Sequence, residues 1–178
     1  MLLFALMLLA SPAVVAAQDA TSAADAGSTA GAEGANAAGD PLVGSAVPYL
    51  NEDGEELGTV TILEVTDPWE DFSEGFEPDD EIRTIGVEVS VTATSEPIEA
   101  NAFDFGLQTI DGFFYGDTSI SRDVSSGDTP DLETISVDPG DEVSGLLFYE
   151  VPAEAELARL LWQPDSGRLL VVADFRAS

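Results

Sequence analysis

The chain has 178 residues, no Cys, no His, and 35 Asp and Glu against five basic residues, all Arg, for a formal net charge of −30. Such a surface repels nucleic-acid phosphates and anionic headgroups and favours cationic partners. His-based triads, thiolate and Schiff-base catalysis, the lysine-bearing phosphate loop, and zinc or copper sites all lack the residues they need.

Residues 1–17, MLLFALMLLASPAVVAA, form an apolar run too short and too soon interrupted to span a bilayer comfortably. Val15, Ala16 and Ala17 put small residues where a signal peptidase cuts. A secretory signal peptide is expected over 1–17, although no basic residue precedes the run; retention of the leader as a membrane anchor is the alternative. Residues 18–45 are Ala, Gly, Ser and Thr with scattered acids and almost no large apolar side chain. They cannot bury enough surface to offset the entropy of ordering, so a disordered linker is expected there and a folded domain over 46–178.

Within that domain, short β-branched and aromatic runs alternate with Gly, Pro, Asp and Ser. GTVTILEV, Gly58 to Val65, is the first expected strand. In the next, Ile85, Val87, Val89, Val91 and Ala93 alternate with Thr84, Gly86, Glu88, Ser90 and Thr92, a period of two that predicts one buried and one wet face. FDFGLQT is expected to turn Phe103, Phe105 and Leu107 inward, and Asp111-Gly112 predicts a hairpin turn before Phe113 to Tyr115. LETISV, Leu132 to Val137, adds a further strand. After the turn Asp138 to Asp141, Val143, Leu147, Tyr149 and Val151 occupy one side of a strand, with Leu146 and Phe148 on the other.

SGLLFYEVPAEAELARLLW, Ser144 to Trp162, has helical features after Pro152: two early Glu, and Leu157, Leu160 and Leu161 at helical spacing. Gln163-Pro164 stops that pattern after about ten residues, a marginal length for a helix. The expectation is a strand through Val151, at most one helical turn over 153–156, and a strand again over 158–162. RLLVVADF then closes the domain with Leu169, Val171, Ala173 and Phe175 on one face. Seven to eight short strands without a long helical pattern predict an all-β fold, an immunoglobulin-like antiparallel β-sandwich.

Four stretches, GTVTILEVTDPW, IGVEVSVTAT, FDFGLQTIDGFFY and VDPGDEVSGLLFYEVP, resemble the telokin-like, immunoglobulin-type domains of unknown function in bacterial secreted proteins and lipoproteins. The immunoprotective extracellular proteins of mycobacterial type belong to the same superfamily. The resemblance covers roughly residues 44–177 and implies a secreted β-sandwich. Its motifs mark strands and turns, so no catalytic residue is carried over. Thr94-Ser95 stands where an Asn often ends the second strand, and no lipid-bearing Cys follows the leader.

Carboxylates are the chemistry that remains. Nine lie between Glu64 and Glu81, and a loop offering Asp67, Glu70, Asp71, Glu74, Asp79, Asp80 and Glu81 has the oxygen ligands that Ca²⁺ takes. The alternating spacing of an EF-hand is missing, which favours a solvated acidic loop. Asp165-Ser166-Gly167 has the composition of an aspartic protease triplet, but Gln163-Pro164 before it and Arg168 after it predict a tight turn. Trp162 is expected in the core and Trp69 over a loop, with a shared aromatic binding surface as the alternative. The functional expectation is a secreted, extracellular binding module without catalytic activity or cofactor. Its partner is an unidentified protein or a cationic group, and no membrane insertion is expected beyond an uncleaved leader. A calcium-dependent adhesion domain and a structural surface domain adapted to high salt are the alternatives.

Overall fold

The computed structural model describes residues 41–125 and 127–176. The expected signal peptide and residues 18–40 of the expected linker lie outside the described residues. Pro41 to Ser45 are tied to the domain: the Gly44 amide donates to the Ile62 carbonyl (2.7 Å), and the Asp174 amide to the Pro41 carbonyl (2.8 Å).

Ten strands follow in chain order: β1 (Ala46–Leu50), β2 (Glu56–Thr66), β3 (Ile82–Ala93), β4 (Ile98–Ala100), β5 (Phe105–Thr109), β6 (Phe114–Gly116), β7 (Ile135–Val137), β8 (Glu142–Pro152), β9 (Leu157–Asp165) and β10 (Arg168–Asp174). Two four-stranded antiparallel sheets, ordered β1-β2-β3-β8 and β10-β9-β5-β6, form the sandwich, and β4-β7 is a small separate ladder. The protein is an immunoglobulin-like antiparallel β-sandwich, as the strand pattern predicts.

Alternation builds the core. Val60 and Ile62 from β2, Ile85 to Val91 in steps of two from β3, and Leu147, Tyr149 and Val151 from β8 meet Phe105, Leu107, Leu160 and Trp162 of the facing sheet. Trp162 is fully buried and stacks on Phe105, with ring centroids 5.7 Å apart. The stretch after Pro152 forms a turn, closed by the Ala155 amide on the Pro152 carbonyl (2.9 Å), before β9 begins at Leu157. Extended pairing of β9 on both edges prevails over a marginal helix.

Several expectations are corrected. Phe103 does not point inward: it is 81 % exposed in a 3-10 turn, Ala102–Asp104, capped by the Asn101 side chain, and the strand starts at Phe105. In β10 the pairing slips between Val171 and Ala173, so Val172 joins Ala173 in the core, while Leu169 faces solvent. A bulge of this kind breaks strict alternation. The second face of β3 is not wet, since Thr84, Gly86 and Ser90 are buried there. β1 was not foreseen; Val47 and Tyr49 alternate inward over only five residues, with Pro48 between them.

Candidate functional site

The covered second face of β3 is where the site forms. A bulge in β2 sets it up: Ile62 pairs with Val89 and Glu64 with the adjacent Glu88, leaving Leu63 as the extra residue. Unbulged alternation from Val60 and Ile62 would turn Glu64 into the core. The bulge instead returns Val65 to the inside and aims Glu64 outward, the re-aiming for which bulges are used. Glu64 and Glu88 therefore stand directly opposite each other on the outer face, an arrangement that weakens a sheet.

Two loops roof this face. In the first, residues 67–81, the Trp69 amide donates to the Thr84 carbonyl (2.7 Å), and the indole lies over Gly86 and edge-on to Phe148. A Cβ on Gly86 would sit 2.5 Å from Trp69 Cε3, so this position requires glycine. In the second, residues 117–125 and 127–131 run beside the otherwise free edge of β8. The Thr118 amide donates to the Phe148 carbonyl, and the Leu146 amide to the Pro130 carbonyl (2.8 Å each). The Phe148 amide donates to Asp117 Oδ1 (2.9 Å). Gly145 permits this approach, because a Cβ there would meet Leu132 Cα at 2.6 Å. The loops join where the Ser73 amide donates to the Ser121 carbonyl and Ser73 Oγ to Asp123 Oδ1.

Between roof and sheet is a cleft of about 380 Å³ lined by Glu64, Thr66, Trp69, Asp71, Glu88, Arg122, Gly127, Asp128, Thr129 and Leu146. Four carboxylates thus face one guanidinium, and that guanidinium is already paired. Arg122 donates through Nε (3.0 Å) and Nη2 (2.6 Å) to Asp131 Oδ1 and through Nη2 to the Thr129 carbonyl (2.8 Å). Its side chain is only 4 % exposed and lies over the Phe148 ring. Nη1 has no hydrogen-bond partner among the described residues. Thr129 Oγ1 donates to Glu88 Oε1 (3.1 Å), which holds that glutamate in place. The cleft suits a cation flanked by an aromatic wall.

The seven carboxylates proposed for Ca²⁺ are scattered. Asp71 lines the cleft and Asp67 pairs with Arg83 (2.9 Å), while Glu70, Glu74, Asp79, Asp80 and Glu81 are exposed along the loop. Among the described residues no group of three or more acidic side chains is placed to hold a metal ion. Asp165 sits in the β9–β10 turn, accepting from the Gly167 amide and from Arg168, whose hydrogen bonds hold its carboxyl down to about 2. Trp69 and Trp162 do not share a surface, since Trp162 lies in the core and Trp69 outside it. A larger open groove at one end of the sandwich contains Arg83, but that guanidinium is engaged by the Ala153 and Ala155 carbonyls and Asp67. Burial raises the Asp117 carboxyl, with Asp131 adding to the effect and the Phe148 amide opposing it.

Sequence reasoning missed Glu88, Arg122, Asp128 and Thr129 and gave Glu64 no role. One signal was available: Glu64 breaks the apolar phase of its strand, and Glu88 interrupts a β-branched run.

No family profile matches the chain, and no curated protein matches it. Solved structures similar in fold include YcdA of Bacillus subtilis subsp. subtilis, described as a lipoprotein by inference (21 % identity, 66 % of this chain, TM-score 0.50). The chain spans 37 % of that protein's length. YjhA of Bacillus subtilis is 18 % identical over 76 % of this chain and 85 % of its own, with a TM-score of 0.50. MPT63, a secreted protein of Mycobacterium tuberculosis, is 14 % identical over 75 % of this chain and 94 % of its own, with a TM-score of 0.49. At these identities the likeness is one of fold.

Proposed function

We propose that this chain is an extracellular, non-catalytic binding module of the telokin-like immunoglobulin type, and that it takes a cationic partner in the cleft over β2, β3 and β8. The observation that carries this reading is the pairing of Glu64 with Glu88 on the cleft floor. Like charges directly opposite on neighbouring strands cost stability. A bulge that turns Glu64 towards Glu88 has a use if a positive group binds between them. The extracellular placement is supported by the apolar leader and by the lipoprotein description of YcdA.

A chain of this net charge attracts any basic molecule weakly, so the test needs a charge-matched control. Binding of a lysine-rich peptide is measured across a range of NaCl for the wild type, for Glu64→Gln/Glu88→Gln, and for Glu74→Gln/Asp79→Asn. Both variants remove two charges, but the second does so on the exposed loop. The cleft reading expects the first variant to lose affinity at least tenfold more than the second, the scale of one or two charge-assisted hydrogen bonds. Equal losses would mean diffuse attraction only, and would favour the structural surface domain adapted to salt.

A further inference from the structure

We infer that the outer face of the sheet β10-β9-β5-β6 docks a second copy of this chain, the two faces meeting about a twofold axis so that Phe114 of each copy enters a groove on the other. This face lies on the opposite side of the sandwich from the cleft over β2, β3 and β8 and is independent of what that cleft binds.

The ladder puts Phe114, Gln108 and Arg159 side by side on three strands, with Gly106, Leu161 and Val171 in the next row. These positions point away from the core, since Leu107, Leu160 and Trp162 between them point into it. Gly106 leaves the room that the Phe114 ring occupies, because a Cβ there would meet the ring at 1.8 Å. The ring nevertheless stays 57 % exposed, and Leu169 on edge strand β10 is 59 % exposed. The solvated face of an antiparallel sheet ordinarily alternates to polar residues, so an apolar band in this place marks a contact surface.

Charge identifies the occupant. With 35 acidic residues against five Arg, two copies of the chain repel each other wherever the acids lie. The strands β5, β6, β9 and β10 contain two acids, and both are neutralised: Asp165 pairs with Arg168, and the buried Asp174 with Arg159 and Arg176. The facing sheet instead presents Glu64 and Glu88 outward. Two such chains can therefore approach through the second sheet, where a basic partner finds no uncompensated acid. Shape agrees. Gln108, the ladder neighbour of Phe114, also lines a groove of about 350 Å³ with Ile110, Ala158, Arg159 and Arg176, and no acidic residue lines it. A protruding ring and a groove on one face are self-complementary, as a twofold contact requires, and guanidinium groups are favourable neighbours for an aromatic ring. Four strands about 4.8 Å apart and roughly 20 Å long present about 400 Å² per copy, or about 800 Å² for the pair. That is the low end of specific interfaces, so the dimer is weak and is opposed at low salt by the charge on the rest of each copy.

Sedimentation equilibrium of the full chain, from about 10 μM to about 1 mM in roughly 0.1 M and roughly 1 M NaCl, reads the dimer directly. Dimerisation should tighten at least about tenfold at the higher salt, the opposite sign from the binding of any basic ligand. Leu169→Glu and Phe114→Glu should each weaken it at least about tenfold, because each places a carboxylate in the apolar contact. Phe76→Glu adds the same charge at a position 63 % exposed in the loop of residues 67–81, on the other side of the sandwich, and should weaken it by less than about threefold. Leu169 is exposed, so its variant decides the matter should Phe114→Glu not fold. A monomer at about 1 mM in the higher salt would overturn the inference. Association that Leu169→Glu and Phe76→Glu alter equally would also overturn it, by placing the contact elsewhere on the chain. A monomer that instead co-sediments with phosphatidylcholine vesicles would give the face to a lipid surface and not to a second copy.

Discussion

Tyr49 and Asp165, 116 positions apart, are joined by a 2.9 Å hydrogen bond from phenol to carboxylate. Arg168 closes the triangle, donating to Tyr49 Oη (2.8 Å) and Asp165 Oδ2 (2.5 Å), with its guanidinium 4.4 Å from the Tyr49 ring centroid. The triad fastens edge strand β1 of one sheet to the β9–β10 turn of the other. Asp165 is held at about 2, chiefly by hydrogen bonds from Arg168 and the Gly167 amide, against an unfolded value near ~3.9. A lowered carboxylate stabilises the fold above the unfolded value and loses that contribution as pH falls towards the folded one. Denaturation midpoints of the wild type should therefore fall between about pH 4 and pH 2, and Asp165→Asn should reduce that slope. An identical slope in the variant would show that the triad does not couple to folding. The Asp165 and Arg168 side chains are about one-third accessible to solvent, which screens the pair and keeps the effect small.

Phe148, 1 % exposed, lies under the roof of the cleft, with Trp69 edge-on at a ring-centroid distance of 5.0 Å and the Arg122 guanidinium over its ring. Phe148→Ala should destabilise by about 3 to 5 kcal/mol in urea denaturation. Gly86→Ala should cost about 1 to 3 kcal/mol, because its Cβ collides with the Trp69 ring and lifts the roof of the cleft. Wild-type stability in both would mean that the loop of residues 67–81 does not pack on β3.

Asp117 makes the opposite prediction to Asp165. Burial raises its carboxyl in the folded state, so ionisation subtracts from stability at neutral pH, and the penalty fades as pH falls through the raised folded value and is gone below the unfolded one. Asp117→Asn keeps an oxygen for the Phe148 amide. The variant should be at least as stable as wild type at pH 7, with any gain shrinking towards pH 4. A loss at pH 7 would show that the charge itself is needed at the edge of β8.

The sandwich was legible because its core strands keep the period of two: Ile85 to Ala93 face inward as their spacing demands, and Phe148 and Leu146 mark a strand with two covered faces. What escaped depends on register. Bulges at Leu63 and near Val172 shift the phase of β2 and β10, and each is set by pairing with a distant strand that local sequence does not report. The cleft escaped for a related reason. Its parts come from Glu64 to Asp71, Glu88, Arg122 and Gly127 to Thr129, brought together only when residues 117–125 and 127–131 lie along β8. The acidic run drew attention to the right loop, but Asp71 alone of its seven nominated residues lines the cleft.

That scatter predicts the response to calcium. Melting temperatures in CaCl₂ and in NaCl of matched ionic strength should coincide, since exposed carboxylates without convergence are only screened. Stabilisation by submillimolar Ca²⁺ beyond that of NaCl would indicate a specific site through mass action and reopen the calcium-dependent adhesion reading.

The most direct measurement is a map of amide chemical-shift changes on the ¹⁵N-labelled chain as N-acetyl-lysine N-methylamide is added. The cleft account predicts saturable shifts concentrated at Glu64, Trp69, Glu88, Arg122 and Thr129, residues that share the outer face but not the sequence neighbourhood. Shifts spread over the acidic surface without saturation, or centred on a different face, would contradict it.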